Sequence, residues 1–188
     1  VIITVRTSSE RYPQKALKKI NNIESIRLVI RRMKKLSHIN DIILATSTHK
    51  SDTILVKIAK EESINYFRGS LNNVANRYYM CAKKFKLDYV VRVTGDAIFC
   101  DEHMLSKAIN SHLSTNSDVT FIKNMPYGTA KEVISTRVLK VINDKSVNKK
   151  DTEYLEFFLE KKNYFKINYI KSNYKFNKNI RLTLDFPQ

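Results

Sequence analysis

Apolar, β-prone runs alternate with amphipathic helical patterns along this 188-residue chain up to residue 113. The segment 23–36, for example, places Ile26, Val29, Ile30 and Met33 on one face of a helix. Strands that alternate with helices form right-handed crossovers and a mainly parallel sheet that helices cover on both faces. We therefore predict an α/β fold, with strands over residues 1–6, 41–46, 64–67 and 89–93 and helices over 23–36, 51–62, 72–85 and 101–113.

The later part of the chain has a different pattern, which predicts strands over 119–123, 132–135, 165–170 and 180–184 and helices over 136–143 and 151–161. Consecutive strands without a helix between them add antiparallel members, so we expect a mixed sheet. The length suits one domain, residues 1–188, and only three Gly and three Pro argue against a long linker. Because the chain lacks a starting Met and stops just after a predicted strand, we expect both ends to be trimmed.

Composition excludes several classes of protein. No apolar run approaches the roughly 18 residues that a membrane span needs, and two cysteines make no disulfide framework, so we expect a cytoplasmic protein. The formal net charge is +16, but the basic pairs are scattered and match no nucleic-acid-binding motif. We therefore expect no nucleic-acid partner; the positive field favours a small anionic substrate.

The first predicted strand runs directly into a loop of hydroxyl and basic side chains, which we call the first loop, residues 6–15. It contains Arg6, Ser8, Ser9, Arg11 and Lys15. Ligands of open α/β sheets bind beyond the carboxyl ends of the strands, where these cations would meet anionic groups. This pattern indicates a phosphate site; the alternative is an ordinary loop with solvated cations.

Two carboxylates follow later strands. Asp96 comes after Thr94 and Gly95 at the end of the strand over 89–93, and Asp185 ends the strand over 180–184. Carboxylates from two strand ends can hold Mg²⁺ over nucleotide phosphates. The alternative for Asp96 is a turn in which the carboxylate caps the following helix.

These segments together resemble the cytidylyltransferase family, which includes spore-coat polysaccharide proteins and synthetases for CMP-Kdo and CMP-sialic acids. The resemblance covers essentially the whole chain, and its pieces occur in the family's order. They are the first loop with Pro13 and Leu17, Ala45–Ser47, Phe67–Ser70, Val74 with Asn76–Tyr79, Arg92–Asp96, Glu132 with Val133, and Arg181–Asp185 with Pro187.

The resemblance implies a Rossmann-like, glycosyltransferase A-like sheet and transfer of CMP from CTP to a sugar acid or related acceptor, with Mg²⁺ as cofactor and release of pyrophosphate. It also implies a role in surface polysaccharide or glycoconjugate synthesis and a possible homodimer. By position, the implied catalytic residues are Arg11, Lys15 and Asp96, and the metal ligands are Asp96 and Asp185. The implied nucleotide-binding residues are Arg6, Ser8, Ser9, Arg11, Lys15, Thr46, Ser47, Arg68, Arg77 and Thr94.

The chain departs from the family pattern at a few positions. Ser8 and Gln14 stand where the family usually has glycine, and Ala130 stands where an acceptor-region Asp is common. Lys131 and Glu132 follow, and we expect them to contact the acceptor. A lysine in this region in place of a carboxylate favours a more anionic acceptor. Two alternatives stay open: an inactive nucleotide-binding accessory protein of the same fold, and a glycosyltransferase A-type enzyme, although the sequence has no Asp-x-Asp motif.

Overall fold

The computed structural model describes residues 1–9, 12–145, 159, 164–177 and 179–184. Five α-helices and nine strands lie in this part of the chain. The strands are β1 Ile2–Thr4, β2 Lys19–Ile20, β3 Ile23–Glu24, β4 Ile43–Ser47, β5 Asn65–Gly69, β6 Tyr89–Thr94, β7 Val119–Lys123, β8 Glu132–Ser135 and β9 Ile167–Lys171. The helices are α1 Ser25–Met33, α2 Thr53–Glu61, α3 Val74–Lys84, α4 Glu102–Thr115 and α5 Thr136–Lys145.

Seven of these strands form one sheet in the order β5-β4-β1-β6-β8-β7-β9. The pairs β5–β4, β4–β1, β1–β6 and β7–β9 are parallel, whereas β8 runs antiparallel to both β6 and β7. The prediction of a mixed, mainly parallel sheet is therefore confirmed. From β1 the chain adds β4 and β5 on one side and then returns to add β6 on the other, which opens a crevice at the carboxyl ends of β1 and β6.

Helices cover both faces of the sheet, as the sequence pattern predicted. Buried side chains of α1, α2 and α4 belong to one apolar cluster, and those of α3 and α5 belong to the other. Helix α1 buries Ile26, Val29, Ile30 and Met33, all at 0% exposure, which confirms the predicted apolar face. Helix α4 begins at a side-chain cap, because the Asp101 carboxylate accepts a hydrogen bond from the backbone N–H of Met104.

Two predicted elements differ from the structure, and a third lies almost wholly outside the described residues. The helix predicted to start at residue 23 starts at Ser25, because Ile23–Glu24 pairs with Lys19–Ile20 in a hairpin whose turn residues, Asn21 and Asn22, both have positive φ. Within the described part of 180–184, only Arg181 makes a bridge, to Tyr127. The helix predicted over 151–161 lies outside the described residues except for the buried, helical Leu159.

No helix in the described part of the chain is both long and apolar enough to cross a membrane.

Candidate active site

The ends of β1 and β6 are bonded to each other at the crevice. The backbone N–H of Gly95 donates to the carbonyl oxygen of Thr4 at 2.9 Å. Below them the Tyr78 hydroxyl, on α3, donates to the carbonyl oxygen of Val93 at 3.0 Å and lies 2.7 Å from Thr4 Oγ1. Burial raises the pKa of Tyr78 to about 12, so the phenol stays neutral. Tyr78 therefore joins both strand ends from inside the protein.

Four of the predicted site residues meet beside this junction. Lys15 Nζ donates to Asp96 Oδ2 at 2.5 Å, and the Thr94 hydroxyl donates to Asp96 Oδ1 at 2.5 Å. Lys131 Nζ lies 3.4 Å from Thr94 Oγ1. The side chains of Lys15 and Asp96 are each 16% exposed, so the pair is partly shielded from water. We call Lys15, Thr94, Asp96 and Lys131 the strand-end cluster; it brings two ammonium groups close to one carboxylate.

The first loop folds back on Thr7. The carbonyl oxygen of Thr7 accepts hydrogen bonds from the backbone N–H of Ser9 at 3.0 Å and of Gln14 at 3.1 Å. Gln14 adopts the left-handed conformation, with φ of 55°, at the position where the family usually has glycine. Ser8 is exposed, as a phosphate contact would require, and Arg11 lies outside the described residues. Elsewhere in the loop, Arg6 Nη1 donates to the carbonyl oxygen of Leu71 at 3.4 Å.

Four of the residues expected to bind the nucleotide lie near the ends of β4 and β5. Arg68 donates to the carbonyl oxygen of Ser47 at 3.0 Å and to that of His49 at 2.9 Å. Arg77, at 3% exposure, donates to the carbonyl oxygen of Ser70 at 2.9 Å. Thr46 and Ser47 are both 0% exposed, so their side chains are not open to a ligand in this structure. Thr46 and Ser47 therefore form the buried strand end against which Arg68 packs.

Sequence reasoning did not include Asp52 among the site residues, but the structure bonds it to the first loop. Its carboxylate is 1% exposed and accepts hydrogen bonds from Thr7 and from Ser47. Burial alone would raise the pKa of Asp52, but the bonds from Ser47 and Thr7 outweigh it and hold the pKa below its ordinary value. No sequence pattern relates Asp52 to Thr7, because 45 positions separate them.

On the acceptor side, the two predicted residues behave differently. Lys131 joins the strand-end cluster, whereas Glu132 is 5% exposed and forms an ion pair with Arg92, itself 6% exposed. The pair lies across the β6–β8 register, in which Arg92 and Glu132 are direct partners. Because its charge is buried and already paired, Glu132 is not open to an acceptor in this structure, which corrects the expectation for this residue.

A C-terminal segment reaches the strand-end cluster. The backbone N–H of Leu182 donates to the carbonyl oxygen of Tyr127 at 2.8 Å, and that of Leu184 donates to the carbonyl oxygen of Asp96 at 3.4 Å. The segment passes so close to Gly128 that a Cβ there would lie 2.3 Å from the carbonyl oxygen of Leu182, and Gly128 has φ of +97°. Asp185, the second predicted metal ligand, lies outside the described residues.

The described residues contain no group of three or more His, Cys, Asp or Glu side chains that could hold a metal ion by themselves. Mg²⁺ in nucleotide sites is usually bound through one or two carboxylates, with substrate phosphates and water as the other ligands. Asp96, a partly exposed carboxylate just after the end of β6, fits that donor set. Cys81 and Cys100 do not compete for a catalytic role, because burial raises the pKa of each thiol to about 12.

The cytidylyltransferase family matches the chain over residues 1–188. An uncharacterized protein of Methanocaldococcus jannaschii is 31% identical over 186 residues, which cover 98% of this chain and 76% of that protein. The spore coat polysaccharide biosynthesis protein SpsF of Bacillus subtilis is 29% identical over 142 residues, which cover 73% of this chain. The chain spans only 59% of the length of SpsF.

Solved structures share the fold. A cytidylyltransferase from Leptospira borgpetersenii serovar Hardjo-bovis superposes with a TM-score of 0.90 at 22% identity, over 98% of this chain and 79% of that chain. The synthetase for CMP:2-keto-3-deoxy-manno-octonic acid, solved in complex with CTP, superposes with a TM-score of 0.72 at 12% identity, over 91% of this chain and 88% of that chain. At these identities the similarity establishes a common architecture.

Proposed function

Because the chain belongs to the cytidylyltransferase family, we propose that it transfers CMP from CTP to an anionic sugar-type acceptor and releases pyrophosphate. The observation that carries this proposal is the strand-end cluster, in which cations from two separate loops lie beside Asp96 in the crevice between β1 and β6. That crevice is where open α/β sheets bind nucleotides. The similarity to a spore coat polysaccharide biosynthesis protein supports a role in surface polysaccharide or glycoconjugate synthesis.

Transfer of a nucleotidyl group needs positioning and charge stabilisation more than covalent help from the protein. As an acceptor oxygen attacks the α-phosphorus, negative charge grows on the departing pyrophosphate. Lys15 supplies a cation to these phosphates once it leaves Asp96, and exposed Ser8 adds a hydroxyl beside them. Mg²⁺, when bound, would neutralise phosphate charge, and Asp96 would hold it; we propose Asp185 as its second protein ligand.

The acceptor is the finer part of the proposal. Lys131 lies at the cluster, 3.4 Å from Thr94 Oγ1, where it can meet a carboxylate or phosphate on the acceptor. The neighbouring carboxylate of Glu132 is neutralised by Arg92 and does not repel such a group. A sugar acid is the acceptor class that this charge arrangement favours.

Pyrophosphate release tests the proposal directly. The purified protein is incubated with Mg²⁺, each of the four common nucleoside triphosphates and a panel of neutral sugars, sugar acids and sugar phosphates. We expect release with CTP and a sugar acid. No release with any combination, despite CTP binding, would instead support the accessory protein.

Binding of the nucleotide is tested separately by thermal unfolding. CTP should raise the melting temperature by mass action, while ATP and GTP at equal concentration do so weakly. UTP presents a carbonyl oxygen where cytosine presents an amino group, and an unpaired buried group costs about 1–3 kcal/mol. We expect CTP to bind at least about tenfold more tightly than UTP. A preference for a purine nucleotide would contradict the proposal.

A further inference from the structure

Asp52 is placed to cap a helix but bonds elsewhere. It stands directly before α2, at the position where an Asp side chain commonly accepts a hydrogen bond from the helix's own N–H groups. Here its side chain makes no such bond. Both carboxylate oxygens are used instead by residues of two other segments, the first loop and the end of β4.

All four acceptor positions of this carboxylate are occupied. Oδ1 accepts from the backbone N–H of Thr7 at 2.8 Å and from its hydroxyl at 2.7 Å. Oδ2 accepts from the backbone N–H of Ser47 at 3.2 Å and from its hydroxyl at 2.5 Å. A carboxylate can accept about four hydrogen bonds and donate none, so an ionised Asp satisfies all four donors, which no amide side chain can do.

Thr7 passes this restraint on to the first loop. While its N–H and hydroxyl are held by Asp52, its carbonyl oxygen accepts from Ser9 and Gln14, the two ends of the turn that leads to Lys15. Gln14 keeps the left-handed conformation although it lacks the freedom of glycine. Thr7 therefore holds the backbone at Gln14, one of the two positions where the family usually has glycine.

We infer that Asp52 is a positioning residue of the proposed reaction: by fixing Thr7, it holds Ser9 and Gln14 in the arrangement that presents Lys15 to the phosphates of the nucleotide. The inference rests on the proposed function for the identity of the ligand. It predicts that replacing Asp52 weakens the binding of CTP but leaves the binding of cytidine unchanged.

Asp52→Asn tests it, because the amide keeps the size of the side chain but turns one acceptor oxygen into a donor that faces two donors. We expect the Kd for CTP to rise at least about tenfold, while the Kd for cytidine changes less than about twofold. Thr7→Val, which removes one of the four bonds, should raise the Kd for CTP by a smaller factor. It serves as the second variant if Asp52→Asn does not fold.

The matched control is Asp101→Asn at the start of α4. There one carboxylate oxygen accepts one hydrogen bond, from the N–H of Met104, and Asn can supply that oxygen equally well. This variant should bind CTP as the wild type does. A folded Asp52→Asn protein that also binds CTP with wild-type affinity would overturn the inference, since a purely structural role changes the folded fraction and not the affinity of the folded protein.

Amide hydrogen exchange separates this inference from the proposed function, because it needs no nucleotide. Exchange at Ser9 and Gln14 should be at least about tenfold faster in Asp52→Asn than in Asp101→Asn, since their acceptor on Thr7 is no longer fixed. If exchange is faster in Asp52→Asn but the wild type does not bind CTP, the proposed function is rejected, while the restraint of the first loop by Asp52 still stands. Unchanged exchange would reject the restraint even if CTP binds.

Discussion

Lys15 Nζ lies 2.5 Å from Asp96 Oδ2, so the cation of the first loop and the carboxylate at the end of β6 neutralise each other when no nucleotide is bound. Both groups are needed for other partners in the proposed reaction. In that reaction nucleotide phosphates would attract Lys15 and leave Asp96 to a metal ion, so binding would exchange one ion pair for two new charge interactions.

Lys15→Ala should weaken CTP binding far more than cytidine binding, because the cation meets the phosphate chain and not the base. A charge-assisted hydrogen bond contributes about 1.5–3 kcal/mol, which corresponds to roughly 10- to 150-fold in Kd. Isothermal titration with both ligands measures the difference. Lys18→Ala is the control, since Lys18 is exposed and lies over the Tyr12 ring; equal losses for CTP and cytidine in Lys15→Ala would place Lys15 elsewhere.

Asp96→Asn should abolish most Mg²⁺-dependent turnover, with kcat reduced by about 100-fold or more. The paired carboxylate also predicts a modest loss of stability, about 1 kcal/mol, since Lys15 and Thr94 both donate to Asp96. A carboxylate without a partner would cost nothing to remove. Pyrophosphate release against Mg²⁺ concentration and urea unfolding measure the two effects, and full activity would remove Asp96 from the metal site.

Glu132→Gln should destabilise the protein by about 3–5 kcal/mol, because it removes the charged partner of Arg92 from a buried strand pair. Replacing both residues by Met should restore much of the loss, since apolar side chains need no partner. Glu61→Gln is the control at an exposed ion pair with Arg27 and should cost about 1 kcal/mol at most. Urea unfolding compares the variants; a small effect of Glu132→Gln would mean that the pair is open to water.

His112 predicts a loss of stability in mild acid. Burial lowers its pKa in the folded protein, while the unfolded chain keeps a value near 6.5. Between these two values the unfolded chain binds more protons, so this contribution is complete above pH of about 6.5 and declines as the pH falls towards the folded pKa. The charged and ring groups near His112 are Asp118 and Tyr89, and Thr120 Oγ1 lies 3.0 Å from Nδ1.

Unfolding free energies measured between pH 8 and 5 check this prediction. The wild type should lose stability relative to His112→Gln over that range, whereas His103→Gln, at an exposed position of α4, should follow the wild type. Parallel curves for the wild type and His112→Gln would contradict it.

Much of the architecture could be predicted from local patterns. The apolar stripe of α1 and the short buried runs of β4 and β6 identify their elements, and the order of the motifs identified the family, which the match over residues 1–188 confirms along with the nucleotidyltransferase class. The two-residue strands β2 and β3 are too short for a periodic signal. The local feature that indicates this hairpin is the Asn21–Asn22 pair, because asparagine tolerates the positive φ that such a turn requires.

The site could be predicted only as far as each residue acts near its own strand end. Lys15, Thr94 and Asp96 meet because the parallel strands β1 and β6 end at one edge of the sheet. Lys131 joins them because it directly precedes β8, and the start of this antiparallel strand lies beside the end of β6. We expected Glu132 to contact an acceptor. Its pairing with Arg92 could not be predicted, because a single sequence does not reveal the register between β6 and β8. Asp52 is a similar case, because its bonds to Thr7 depend on how α2 and the first loop are brought together in space.

Gly128 lets two segments of the chain lie against each other beside the strand-end cluster. Its lack of a side chain lets Leu182 and Thr183 lie directly on the loop that carries Lys131, and two residues later the same segment bonds to Asp96. Even a methyl group at this point would push the segment outward and pull Leu184 from the carbonyl oxygen of Asp96. A larger residue at position 128 would therefore disturb the strand-end cluster without changing any of its charged side chains.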